Sequence, residues 1–186
     1  MAVPDYIPHF FPMPSERDTL SIDPGIGGTG WAFTPASCTT PSIIGCVTPP
    51  KRGAWEERFD IALDRLSASI SRIVPNWDEV DLVIEIPAVF SSTRRGIAAA
   101  GRGDVVKIAL LAGGVMRTFP DANYILARPS DWKGQLPKKL TERALRDHLG
   151  PETVARLGLD DEPDHTWDAV GIGLWYTSGF LGAKRR

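Results

Sequence analysis

Four side chains in this sequence have the types and placement for metal-assisted hydrolysis. Asp23 closes the apolar run Leu20-Ser21-Ile22, and the glycine-rich turn from Pro24 to Gly30 leaves little side-chain bulk around its carboxylate. Glu85 stands near the end of Leu82-Val83-Ile84-Glu85-Ile86. A lone carboxylate in so apolar a run is costly to bury and calls for a cation, a donor or a metal. His165 and Asp168 lie three apart in Asp164-His165-Thr166-Trp167-Asp168-Ala169, a spacing that puts them on one helix face. Three carboxylates and an imidazole, gathered by two strand ends and a helix, suit hard divalent cations. Two such ions would activate a water and stabilise the leaving oxygen of an in-line phosphoryl displacement.

Each residue also has a plainer reading. Asp23 fits a solvated hairpin turn, because Asp and Gly dominate turns for local reasons. Gly25-x-Gly27-x-x-Gly30 matches the dinucleotide fingerprint in letters, but that motif needs a following helix, and Thr29 to Phe33 reads as a strand. Glu85 fits a salt bridge or an outward edge position. His165 fits a capping or surface role.

The elements that must position these groups follow from patterning. Thr19 to Asp23, Thr29 to Phe33, Ile43 to Thr48, Val80 to Ile86 and Asn123 to Ala127 read as strands. From Ala54, apolar positions recur at helical spacing up to Pro75. Asp104 to Arg117 is apolar nearly all round and predicts a buried helix. Pro129 to Pro137 reads as an irregular basic loop, and Leu140 to Leu149 as a helix stopped by Gly150-Pro151, with a short helical turn to Leu157. A last helix opens at Pro163-Asp164, with Asp164 as its cap, and runs to about Tyr176. This order predicts an α/β domain around a mixed sheet. The expected organisation is a proline-rich arm over residues 1–17, the domain over 18–180 and a basic tail over 181–186.

At 186 residues the chain is long enough for one domain with a real core. No apolar run approaches the ~20 residues that span a bilayer, and the N-terminus lacks a signal-peptide pattern. Cys38 and Cys46 form no metal-binding spacing, so a cytosolic protein with two incidental thiols is expected. The net charge of −2 hides segregation. Arg94, Arg95, Arg102 and Lys107 face one anion, Asp104, and six cations between Arg128 and Arg146 face Asp131 and Glu142. From Glu152 to Asp168 six acids face Arg156 alone. Such segregation fits a phosphate-facing surface beside an acidic pocket, and equally a patchy solvated surface.

Taken in order, Ile22-Asp23-Pro24-Gly25, Thr29-Gly30-Trp31, Ile84-Glu85 and His165-Thr166-Trp167-Asp168-Ala169 resemble the RuvC family of Holliday junction resolvases, in a bacteriophage-type branch. Gly103 to Gly114 is similar to the family's dimer-packing helix, and Pro129-Ser130-Asp131-Trp132-Lys133 to its Pro-x-x-Val-Lys segment. Two departures stand out. The family's Thr-Gly-x-Gly segment is replaced by Gly134-Gln135-Leu136-Pro137, and the aromatic after the strand-four Glu moves two positions later, to Phe90.

The resemblance implies a ribonuclease H-like fold, with a central mixed five-stranded sheet flanked by helices. It implies a homodimeric, Mg²⁺- or Mn²⁺-dependent endodeoxyribonuclease with two ions per site, which cuts four-way DNA junctions symmetrically in recombination and replication. Asp23, Glu85, His165 and Asp168 would form the metal site. Lys133, Lys138, Lys139, Arg94, Arg95 and Arg102 would bind DNA phosphates, with Phe90 stacking on opened junction bases. No membrane partner is implied, and the location would be the cytoplasm, that of the host for a phage-encoded protein. A nuclease for flaps and forks, or a non-catalytic DNA-binding dimer of the same fold, would carry many of the same residues.

Overall fold

Period-two alternation along the strands sends one set of residues to each face of a sheet, and this organises the molecule. The computed structural model describes residues 15–74, 76–87, 101 and 103–181. Strands β1 (Asp18–Asp23), β2 (Thr29–Thr34), β3 (Ile43–Val47), β4 (Val80–Glu85) and β5 (Asn123–Ala127) form one sheet in the order β3-β2-β1-β4-β5. The first three are antiparallel neighbours, whereas β4 and β5 run parallel to β1. The expected mixed five-stranded sheet is therefore present.

Leu20, Ile22, Leu82 and Ile84 point to one face and pack under α1 (Trp55–Ile70) and α2 (Asp104–Thr118). The opposite face carries Ser21, Val83 and the acidic positions. Against it lie α3 (Pro129–Trp132), α4 (Lys138–Leu157) and α5 (Asp164–Ser178). Helix α5 rests directly on β1, where the Ser21 hydroxyl donates to the Ala169 carbonyl at 2.7 Å.

Three expectations need correction. Helix α2 is not buried all round: Leu111, Ala112 and Val115 face the core, but Val106 and Leu110 are 62% and 55% exposed. Only one stripe of α2 meets the sheet, so its remaining apolar side chains face outward. The basic loop after β5 begins with a helical turn, α3, because Pro129 suits a first helical position and the Asp131 carboxylate accepts the Arg128 backbone N–H at 2.9 Å. The expected stop at Gly150-Pro151 is present: Gly150 takes the non-helical φ 74°, and a second helical stretch, counted here within α4, follows to Leu157. Asp164 does not cap α5: Pro163 holds that position, and Asp164 instead pairs with Lys138 at 2.6 Å.

Candidate active site

The register between β1 and β4 begins the site. Ile22 pairs with Ile84 in parallel, so the next residues, Asp23 and Glu85, end their strands side by side on the α5 face. Neighbouring strands lie about 4.8 Å apart. Backbone hydrogen bonds thus bring two carboxylates together without help from any loop. Helix α5 then crosses above them. Its first turns come so close to β2 that a Cβ at Gly30 would collide with the His165 carbonyl, and one at Gly25 with the imidazole. The room left by the glycines around Asp23 is filled by His165.

The charged groups sort into two sets. His165 Nδ1 lies 2.6 Å from Asp23 Oδ2, and this hydrogen bond is the chief reason its pKa is raised, which favours the imidazolium. Its Nε2 makes no hydrogen bond among the described residues. Glu85 Oε2 accepts the Trp132 indole N–H at 2.6 Å and lies 3.9 Å from the Lys133 ammonium. Lys133 donates to Asp168 Oδ2 at 3.3 Å and sits 4.5 Å above the Trp132 ring.

Burial is the main reason that Glu85 is pushed up to about 7, and the negative charges of Asp23 and Asp168 add to it. Burial raises Asp168 as well, against the opposing pull of Lys133. The carboxylates are therefore close enough to repel one another, and Lys133, with Lys138 acting on Asp168, opposes that repulsion.

Among the described residues no three Asp, Glu, His or Cys side chains converge tightly enough to enclose one ion. The donor set nevertheless fits a hard divalent cation. It offers three carboxylates and an imidazole, its acids repel one another, and Glu85 and Asp168 remain partly open to solvent beside the buried Asp23.

The DNA-facing expectations divide. Lys133 is half-buried among the acids rather than on an outer surface. Lys138 and Lys139 are exposed at the start of α4, Lys138 in its pair with Asp164. Phe90, Arg94, Arg95 and Arg102 lie outside the described residues.

Sequence reasoning missed Trp132 as the partner of Glu85. The available signal was a large aromatic beside the lysine of an otherwise polar segment.

A mixed sheet in this order with helices on both faces defines the ribonuclease H-like class of fold. The solved structure of T. thermophilus RuvC in complex with Holliday junction substrate shares that fold. It has a TM-score of 0.54 and 19% identity, covering 89% of this chain and 98% of that one. A second Thermus thermophilus RuvC structure aligns at TM-score 0.48 and 18% identity, over 84% of this chain and 90% of that one. Searched against protein-family models and against curated proteins, the sequence matches none. Among the described residues no helix is long and apolar enough to cross a membrane.

Proposed function

We propose that this protein is a divalent-metal-dependent endonuclease that resolves four-way DNA junctions by paired, symmetric phosphodiester cleavage. The observation that carries the reading is the placement of Asp23 and Glu85 at adjacent strand ends beneath the His165–Asp168 face of α5. The RuvC neighbour, which is in complex with a junction, supports the same substrate class.

Asp23, Glu85 and Asp168 would hold the metal, with His165 as a fourth ligand or as a proton acceptor through Nε2. Two Mg²⁺ or Mn²⁺ ions, when bound, supply the activation of water and the stabilisation of the leaving oxygen. Lys133 would then be released from its carboxylate partners to meet a substrate phosphate. Lys138 and Lys139 extend that basic surface, and Arg94, Arg95, Arg102 and Phe90 belong to the same proposal. A second copy of the chain would cover the apolar patch of Val106 and Leu110 on α2, giving the homodimer that paired cuts require.

The test is a labelled, immobile four-way junction beside a matched linear duplex, each with Mg²⁺ and with EDTA. Paired symmetric nicks on the junction alone, lost in EDTA, are expected. Equal cutting of both substrates points to a general nuclease. Tight junction binding with no cutting under any metal leaves a binding module.

A further inference from the structure

Trp132 stands out from the rest of the core. Its side chain is fully buried, and its indole N–H is spent on a carboxylate at the candidate site rather than on a backbone carbonyl. Its placement follows from the strand before it. Glu85 pairs with Ala127 at the end of β5, and the chain then turns through α3, which folds Trp132 back over Glu85. The ring packs with Val83, Ala127, Ile172 and Tyr176.

Its far edge lies in a notch on α5, where a Cβ at Gly171 would collide with the ring. Gly171 is three residues beyond Asp168, so the ring spans from the strand that carries one acid to the helix that carries another. The Lys133 ammonium lies over the same ring, 4.5 Å from its centroid, and reaches Asp168 at 3.3 Å.

We infer that Trp132 is a positioning residue for metal binding: it pins Glu85 through Oε2, leaves Oε1 to meet a cation, and sets how far α5 and Asp168 stand from it. The inference rests on the metal-dependent reading above. The physical basis is direct. A carboxylate on a flexible side chain loses rotamer freedom when it binds an ion, and an indole N–H donor at 2.6 Å has already removed that freedom. A donor on one oxygen also disfavours capture of the ion by both. Hydrogen-bond partners behind a ligand are typically worth roughly 10–100-fold in metal affinity.

The test uses Trp132→Phe, which keeps an aromatic side chain at this position but removes the donor and shortens the reach toward Gly171. Mn²⁺ affinity is measured by calorimetry on the wild-type and variant proteins. In parallel, Mg²⁺ is titrated into the wild type while the indole N–H signals of its six tryptophans are followed by NMR. Mn²⁺ affinity should fall by roughly tenfold or more in the variant. One downfield indole signal, absent from the variant, should shift as Mg²⁺ binds.

Unchanged Mn²⁺ affinity in a folded Trp132→Phe protein overturns the inference, as does a Trp132 signal that stays still while the ion binds. Should the variant fail to fold, the wild-type titration decides alone. A wild-type protein that takes up neither ion overturns the metal-dependent reading itself, and this inference with it.

Discussion

Strand β4 carries two carboxylates on one face, Asp81 buried and Glu85 partly so, and its two ends treat them differently. At the start, Asp81 accepts hydrogen bonds from Ser15 at 2.7 Å, Asn123 at 2.9 Å and Tyr176 at 2.9 Å. The Arg17 Nε lies 3.1 Å away, as a charge contact rather than an aligned hydrogen bond. Four residues on, Glu85 has one indole donor, a lysine at 3.9 Å and two like charges nearby, and is pushed up to about 7. Asp81 is a finished junction that ties the residues before β1 to β4, β5 and α5. Glu85 is an unfinished one. A buried acid whose partners are complete belongs to the architecture, whereas one left short of positive charge marks a place where a cation is wanted.

Substitutions at the two ends should therefore separate stability from activity. The largest effect is expected for Asp23→Asn, beside Glu85. Junction cleavage should fall by at least roughly 10³-fold, about 4 kcal/mol of barrier, while junction binding in a gel-shift assay stays near wild type. Retained cleavage would remove Asp23 from the site. Next comes Asp81→Ala, which leaves the Tyr176, Asn123 and Ser15 donors without their acceptor. Urea unfolding should show a loss of about 2–4 kcal/mol, with cleavage per folded molecule little changed.

The smallest effect, and the most diagnostic, is Glu85→Gln in the presence of a chelator. Because the folded pKa of Glu85 is raised, its protonated form favours the folded state. That contribution is fully present below the unfolded value near 4.5 and is lost as pH rises through about 7. Wild type should lose more stability across that window than the variant, which keeps only the smaller contributions of the raised Asp168 and His165, so at pH 8 the variant is more stable by about 1–3 kcal/mol. Equal pH dependence of the two proteins would show that the contrast between the ends of β4 is not electrostatic.

The strands were legible in the sequence because their apolar runs are short and closed by Gly, Pro or Asp, and the sheet confirms each within a residue or so. Glu85 was legible for the same reason, as a charge where the pattern has no place for one. Asp81 interrupts the same strand with the same parity, yet its role depends on Ser15, Asn123 and Tyr176, which are far away in the chain. The exposed side of α2 could not be read from its composition, since hydrophobicity all round says nothing about which side meets a neighbour. Trp132 and Lys133 looked like part of a basic surface because charge counts along a chain ignore the direction in which a one-turn helix points its side chains. The crossing of α5 over Asp23 was implied only through the glycines at 25 and 30, whose missing side chains admit His165.

That crossing also orders events in time. Asp23 and Glu85 come from the first half of the chain, whereas His165 and Asp168 lie on α5, His165 standing 142 positions after Asp23. Synthesis runs at about 5–20 residues per second and a domain folds as a unit, so the site is completed only after that helix has emerged. Until α5 is synthesised the chain carries Asp23 and Glu85 but neither His165 nor Asp168. On the reading proposed above, synthesis order then acts as a safety catch, released only when that helix docks.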